Sequence, residues 1–247
     1  MAKERIDKIL AHEGFGSRKD IRKLLRSSEV LLNGKRIFDP GTQFNPQEDT
    51  VTIDGEEVDL HDHIYLMMNK PQHTISSSKD GEHQTVFELL EDNLRTPYLQ
   101  EKLHLVGRLD MDTEGLLLFT TDGELTHRLI SPKSHISKTY LCCLEHPETE
   151  EHQKEIEQLF KDGIQVGPED NEPGFKCEPA FIEWKDASTA HLTIYEGKYH
   201  QVKRMFVAVE NKIVFLKRLS MGQLQLDSSL KPGEYKFLTD EDLSKLI

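Results

Sequence analysis

The sequence predicts an α+β protein: a small N-terminal α/β module followed by a larger domain built on a mixed, largely antiparallel sheet with flanking helices. Its 247 residues suffice for one large domain and one small one. The predicted strands outnumber the predicted helices and do not alternate regularly with them, which argues against a doubly wound parallel sheet. The polar stretch Asp59 to His63 separates the two parts. We therefore expect residues 1–59 to form the first module, 60–63 a linker and 64–247 the second domain.

Composition excludes several classes of protein. The hydrophobic fraction is 36% and the charged fraction 30%, which is polar but sufficient for a folded core. No apolar run is long enough for a membrane-spanning helix, and the charged start, Met1 to Arg5, is unlike a secretory signal. The three cysteines, two of them adjacent, predict neither a disulfide framework nor a zinc site. We expect a reduced cytoplasmic protein without a structural metal.

The charge is unevenly distributed along the chain. The net charge of −13 argues at first against a nucleic-acid partner. However, residues 1–38 hold ten Lys and Arg against five Asp and Glu, whereas residues 145–172 hold ten acids against two lysines. The N-terminal module can therefore be locally positive in spite of the acidic total.

Two short helices are predicted at the start of the chain. Apolar residues at i, i+3 and i+4 predict the first, namely Ile6, Ile9 and Leu10. Gly14 and Gly16 end it, and Ser17 with Asp20 has the spacing of a capping box that starts the second helix.

The second helix has one face of positive charge. Its apolar residues are Ile21, Leu24 and Leu25. Its basic residues lie on the roughly opposite face and are Arg18, Lys19, Arg22, Lys23 and Arg26. A phosphate backbone would select such a face. Two other interpretations stay open: the face is merely solvated, or it docks onto the acidic region 145–172.

Turn residues predict the strands of the module. Val30 to Leu32 and Lys35 to Ile37 flank Asn33-Gly34, which is typical of a tight hairpin turn. Thr50 to Ile53 alternates into Asp54-Gly55, which predicts another strand and turn.

The succession ERIDKIL…GFGSRKDIRKLLRSSEVLLNGKRI…EDTVTIDGEEV resembles the S4 RNA-binding domain over about 58 residues. The resemblance implies two helices on a small sheet, with the basic helix lying on structured RNA. The alternative is a small accessory domain without a ligand.

The larger domain shows a series of apolar runs and capped helices. Strands are expected at 64–70, 116–121, 138–144, 180–184, 189–196, 213–219 and 223–226. Helices are expected at 85–94, 122–130 and 148–162, in a segment ending near Glu210, and after Thr239.

Most chemical motifs are missing from this domain. The sequence has no phosphate-binding glycine loop, HExxH or GxSxG, and none of its twelve histidines forms a pair with metal-ligand spacing. Asp110 remains, after Gly107-Arg108-Leu109. The pattern alone leaves open whether this residue caps a turn or performs catalysis.

The segment VGRLDMDTEGLLLFTTDGELTHRLISP is similar to the catalytic motif of pseudouridine synthases, in which the aspartate of GRLD is essential. NKP (69–71), KTY (138–140), EGKYHQVKRM (196–205) and KRLSMGQLQLD…LKPGEYKFLT resemble further motifs of that family in the same order. Within it the chain is most similar to the RsuA group. It departs from the pattern at His73, where many relatives have Gly, and at Thr121, where many have Asn; His73 could alter its loop.

The resemblance implies a role for individual residues. Asp110 would be the catalytic carboxylate, acting either as nucleophile or as the base that removes a ribose proton. Tyr140 would stack on the flipped base, unless it is an ordinary strand tyrosine. Lys203 would pair with Asp110 and keep it ionised. Arg108 would engage the RNA backbone or fill the space left by the base, and Leu219 would pack under the uracil.

The implied reaction consumes nothing, so we expect no cofactor and no metal. The expected partner is ribosomal RNA of the small subunit (16S), free or in an assembling particle, acted on by a monomer without a membrane or a small-molecule cofactor. Two alternatives stay open: a large-subunit (23S) synthase of the same superfamily, and a non-catalytic RNA-binding or ribosome-assembly protein on this fold.

Overall fold

The computed structural model describes residues 3–46, 48–58, 60 and 63–246. Asp59, His61 and Asp62, which belong to the predicted boundary, lie outside the described residues. The chain divides into two compact units. The first comprises the segment up to Tyr65 with Phe87–His104 and Phe119–Asp122, and the second comprises Leu66–Val86, Leu105–Leu118 and the segment from Gly123 onward.

The first unit contains the two predicted N-terminal helices and a small sheet. Its helices are α1 (Ile6–His12), α2 (Arg18–Ser27) and α3 (Pro97–Lys102). Its strands are β1 (Glu4–Arg5), β2 (Val30–Leu32), β3 (Lys35–Arg36), β4 (Gln43–Phe44), β5 (Val51–Ile53) and β6 (Glu56–Glu57). The strand order β3-β2-β5-β6 is antiparallel throughout, and β1 pairs with β4.

Local chemistry fixes these elements as predicted. The Ser17 hydroxyl accepts from the Asp20 N–H, and the Asp20 carboxylate accepts from the Ser17 N–H, so the capping box at the start of α2 is confirmed. Both hairpin turns have left-handed backbone at their two central residues, as a tight primed turn requires. A single apolar cluster joins the helices to the sheet, and it includes Ile6, Leu10, Ile21, Leu25, Val30 and Val51.

The larger sheet has nine strands among the described residues. Their bounds are β7 (Tyr65–Lys70), β8 (His104–Leu105), β9 (Thr113–Thr120), β10 (Lys138–Leu144), β13 (Phe181–Trp184), β14 (Thr189–Ile194), β15 (Ile213–Met221), β16 (Leu224–Gln225) and β17 (Tyr235–Phe237). They follow the order β13-β14-β10-β15-β9-β7-β17, with β8 beside β9 and β16 beside β15. β11 (Gln165–Val166) and β12 (Phe175–Lys176) form a separate ribbon. β15 pairs in parallel with β9 and antiparallel with β10, so the predicted mixed, largely antiparallel sheet is confirmed.

Four helices lie between or after the strands of this sheet in the sequence: α4 (Gly123–Ile130), α5 (Glu150–Lys161), α6 (Gln201–Val207) and α7 (Asp240–Ser244). Thr239 and Asp242 form the capping box that starts α7, as predicted. No helix in the described part of the chain is long and apolar enough to span a membrane.

The helix expected at 85–94 does not form. Two 3-10 turns, Val86–Leu89 and Asp92–Arg95, replace it, and Glu91 between them is extended with φ −64° and ψ 158°. Asp and Asn favour turns and caps over helix interiors, so the pair Asp92-Asn93 interrupts the apolar period that suggested a helix.

The parallel pairing of β9 with β15 depends on a glycine. Gly115 has φ +106°, and a Cβ on it would lie 2.2 Å from the carbonyl oxygen of Arg218. The two backbones can approach this closely only without a side chain. This contact sets the loop before β9 beside the middle of β15.

Candidate active site

One cavity of about 320 Å³ lies in the second unit. Four of the residues expected to form the active site line it together: Arg108, Asp110, Tyr140 and Lys203. They come from the loop before β9, from β10 and from α6, so the fold assembles the cavity from segments far apart in the chain.

The loop that carries Asp110 is held from several sides. The Ser76 hydroxyl donates to the Leu109 carbonyl at 2.7 Å and accepts from the Leu109 N–H at 3.1 Å. The Thr113 N–H donates to the Asp110 carbonyl at 3.1 Å, which closes a turn. The Asp110 backbone is therefore fixed while its side chain remains 33% exposed.

A fully buried lysine supports the same loop. Lys70, at the end of β7, is 0% exposed, and its ammonium donates to the carbonyls of Pro71, Met111 and Thr113 at 3.0, 3.3 and 2.9 Å. Burial lowers the pKa of Lys70 to about 8. The negative charges of Asp110 and two further carboxylates raise this pKa, but they do not offset the effect of burial. The NKP motif is visible in the sequence, but its pattern assigns this lysine no role.

The loop after β7 meets the Asp110 loop through its backbone. His73, where many relatives have Gly, adopts left-handed backbone with φ 62°. Its N–H donates to the Met111 carbonyl at 2.8 Å. The position therefore keeps the conformation that glycine adopts most readily.

Lys203 is the cation nearest to Asp110. Its Nζ lies 3.0 Å from Asp110 Oδ2 and 2.6 Å from Asp112 Oδ1. Burial lowers the pKa of Lys203, but the hydrogen bonds to Asp112 and Asp110 outweigh it, so the pKa is raised. Burial also acts to raise the pKa of Asp112, and Lys203 reverses that effect. The predicted pairing of Lys203 with Asp110 is present, but Lys203 is shared with Asp112, which sequence reasoning did not single out.

His200 adds a further titratable group. It has left-handed backbone with φ 48°, precedes α6 and stacks on Tyr199 at a ring distance of 3.8 Å. Its Nε2 lies 3.7 Å from Asp110 Oδ1 and its Nδ1 3.3 Å from Glu169 Oε2. In the sequence, His200 lies within the EGKYHQVKRM segment, three residues before Lys203, but that segment assigned it no role.

Tyr140 and Arg218 face the cavity from neighbouring strands. Tyr140 on β10 is 7% exposed and pairs in register with Arg218 on β15. Lys138, two residues before Tyr140, also lines the cavity. Neither Lys138 nor Arg218 was predicted as a site residue, because burial of a cation cannot be read from its own sequence position.

The structure does not bring Leu219 to this cavity. Its neighbour Arg218 lines the cavity, but Leu219 lies at a register shift: Tyr140 pairs with Arg218 and Thr139 with Ser220, so Leu219 has no pairing partner on β10. Leu216 and Met221 of the same strand are the apolar residues there.

The basic face of α2 forms a surface of the first unit. Its five cations, Arg18, Lys19, Arg22, Lys23 and Arg26, are all exposed. Lys23 lies 3.5 Å from Asp20 in an exposed ion pair. Such a pair contributes little to stability.

Among the described residues, no group of three or more His, Cys, Asp or Glu side chains could hold a metal ion.

Known proteins resemble this chain over nearly its whole length. The family model for RNA pseudouridylate synthase matches residues 64–208, and that for the S4 domain matches residues 4–51. An "Uncharacterized RNA pseudouridine synthase YtzG" of Bacillus subtilis is 44% identical over 248 residues, covering 98% of each chain. The "Ribosomal small subunit pseudouridine synthase A" of Escherichia coli is 37% identical, covering 98% of this chain and all of that protein. A solved pseudouridylate synthase structure has a TM-score of 0.66 at 38% identity, covering 98% of this chain and 99% of its own.

Proposed function

The chain belongs to the RNA pseudouridylate synthase family and carries an S4 domain, and we propose that it converts uridine to pseudouridine in the ribosomal RNA of the small subunit. It is an enzyme of RsuA type. In the proposal, Asp110 is the essential residue, residues 1–59 bind RNA and residues 64–247 perform the reaction in a monomer.

The observation that carries the proposal is the shared cavity of Asp110, Lys203 and Tyr140. Pseudouridine formation breaks the bond between ribose C1′ and uracil N1, turns the base and joins C1′ to C5. A carboxylate can attack C1′ or remove a ribose proton, and in the proposal Asp110 performs one of these tasks. Lys203, 3.0 Å away, supplies the countercharge. A protein that only bound RNA would have no use for this set.

The remaining lining residues fit a flipped nucleotide. Tyr140 provides a flat face for the base, which must leave its stack before reaction. Leu216 takes the position under the uracil that the sequence suggested for Leu219. Arg108, in the loop before Asp110, engages the RNA backbone or the space that the base vacates.

The basic face of α2 supports ribosomal RNA as the partner. Phosphate contacts fix the orientation of a protein on RNA, while the chemistry takes place elsewhere. The relatives named for the small subunit are 37% to 39% identical to the chain over nearly its full length, which favours 16S over 23S RNA.

Mapping pseudouridines in ribosomal RNA tests the proposal. A strain lacking the protein should lose pseudouridine at one position of the small-subunit RNA. The wild-type protein should restore it, whereas Asp110→Asn, which is isosteric but neither nucleophilic nor basic, should not. Loss at a large-subunit position would refute the subunit assignment. Restoration by Asp110→Asn would refute the catalytic assignment.

A further inference from the structure

Two cations that line the cavity, Lys138 and Arg218, have no role in the proposed function so far. We propose that Arg218, assisted by Lys138, binds a carbonyl oxygen of the target uracil and stabilises the negative charge on the base while it is detached from the ribose. The inference rests on the proposed reaction at Asp110, and it adds to that reaction a group that acts on the base.

Arg218 is an incompletely paired buried cation. It lines the cavity, yet it is only 2% exposed. Its Nε donates to the Leu116 carbonyl at 2.7 Å, which fixes the guanidinium. Its Nη2 is buried with no hydrogen-bond partner among the described residues. A buried charged donor without a partner is unfavourable, so this group is suited to an acceptor that arrives with the substrate.

Lys138 increases the positive charge at the same place. Its Nζ donates to the Ile136 carbonyl at 3.1 Å and forms no ion pair with any described residue. Burial lowers the pKa of Lys138 to about 8, and the positive charge of Arg218 acts in the same direction. Two cations that repel each other in a partly buried cavity are stabilised by negative charge placed between them.

The depth of Arg218 identifies the part of the nucleotide that it meets. The Asp110 side chain is 33% exposed and reacts at the ribose, whereas Arg218 is 2% exposed and pairs in register with Tyr140. A uracil stacked on Tyr140 with its ribose at Asp110 places its C4 carbonyl, which lies across the ring from N1, toward Arg218. The phosphates attach through the ribose and stay on the exposed side, so a base oxygen is favoured over a phosphate.

The reaction creates charge at that carbonyl. When the C1′–N1 bond breaks, its electron pair stays on the uracil and delocalises over N1 and the carbonyl oxygens. After C1′ bonds to C5, the proton at C5 is lost and N1 gains a proton, so no external oxidant or reductant is needed. Arg stays charged at every accessible pH and is already positioned, and a fixed donor aimed at developing charge is worth roughly 10²–10³ in rate.

The test separates chemistry from binding. RNA tritiated at uracil C5 releases tritium on conversion, and single-turnover rates are measured at saturating RNA with dissociation constants determined separately. We expect Arg218→Gln to lower the rate constant by about 10²–10³. Arg218→Lys should recover part of it, and both should bind RNA within a few-fold of wild type.

Two further variants keep the test decisive. Arg218→Gln could lose stability with its bond to Leu116, so Lys138→Met, which gives up only the bond to Ile136, is measured beside it; we expect about a tenfold lower rate at an unchanged melting temperature. Lys217→Met is the matched control, because Lys217 is the adjacent cation on β15 and lies outside the cavity, 3.8 Å from Glu114. It should keep the wild-type rate.

Wild-type rates in folded Arg218→Lys and Lys138→Met would overturn the inference. So would weaker binding with a smaller salt dependence at an unchanged rate, which would identify a phosphate contact. Asp110→Asn is run in the same assay: if it stays active, the proposed function fails instead of this inference.

Discussion

Replacing Lys70 with Met should damage the active site more than the fold. The substitution removes the ammonium that holds the carbonyls of Pro71, Met111 and Thr113. Two of these carbonyls belong to the residues around Asp110. Because a displacement of about 1 Å at a reacting group can cost 10²-fold in rate, we expect single-turnover activity to fall by about 10–100-fold.

Two opposing energies set the cost in stability. Hydrogen bonds from a charged group contribute about 1.5–3 kcal/mol each. Against them, the pKa of Lys70 falls from its ordinary value of 10.5 to about 8, which corresponds to a burial penalty of about 3 kcal/mol. Met carries no such penalty, so for the three hydrogen bonds together the net loss at pH 7 should be about 1–6 kcal/mol.

The pH dependence gives the sharper measurement. Between pH 8 and 10.5 the unfolded chain holds the Lys70 proton and the folded chain has released it, so folding is favoured as pH rises. The penalty is complete below about pH 8 and disappears toward pH 10.5. The free energy of unfolding of wild type relative to Lys70→Met should therefore grow by about 1–3 kcal/mol from pH 7.5 to 10.

Denaturant unfolding at a series of pH values measures this difference. Lys79→Met is the control, because it removes a lysine charge from an exposed position. A difference for Lys70→Met that is constant with pH would refute the reasoning, as would full activity in the folded variant.

Three other outcomes are expected. Lys203→Met should lower the rate at saturating RNA by about 10² or more, and Lys203→Arg should retain much of it; equal loss in both would contradict an electrostatic role. Replacing Arg18 and Arg22 with Ala should weaken RNA binding at unchanged turnover. The slope of log binding constant against log salt concentration should become shallower by roughly 0.7–0.9 for each phosphate that the protein no longer neutralises. An unchanged slope would indicate that the face is merely solvated, and a lower unfolding midpoint would indicate that the face docks within the protein. Gly115→Ala should destabilise the fold by roughly 3 kcal/mol or more, measured by denaturant unfolding, whereas Gly123→Ala, with open space at the new Cβ, should not.

Elements with strong local signals could be predicted from the sequence. The capping box at Ser17 and the turn at Asn33-Gly34 depend on residues a few positions apart, so their chemistry is visible in the chain itself. The resemblance to the family's motifs likewise singled out Asp110 and Lys203, and the fold brings Lys203 Nζ to 3.0 Å from Asp110 Oδ2. The helix expected at 85–94 is two separate 3-10 turns in the structure. The prediction followed the apolar residues of this segment and did not take into account that Asp92-Asn93 favours a turn.

The buried cations could not be predicted because their state depends on distant partners. Two of the carbonyls that accept from the Lys70 ammonium, those of Met111 and Thr113, lie more than forty residues away in the chain. The carbonyl that accepts from Arg218 belongs to Leu116, on another strand. A Lys or Arg in a strand is usually solvated, so nothing in the adjacent residues indicates desolvation. Leu219 shows the same limit: the register shift that leaves it without a partner on β10 depends on the pairing of two strands and is not visible in one strand alone.

The assembly of the cavity from segments far apart in the chain has a consequence for synthesis on the ribosome. A chain emerges from its N-terminus, and domains fold as they become available. The segments of α1, α2 and β1–β6 are complete early, whereas Lys203 and Arg218 are translated last among the cavity residues discussed above. Translation that stops before α6 yields a polypeptide with the basic helix but no functional cavity. If the basic face binds RNA as proposed, such a fragment would occupy RNA without modifying it.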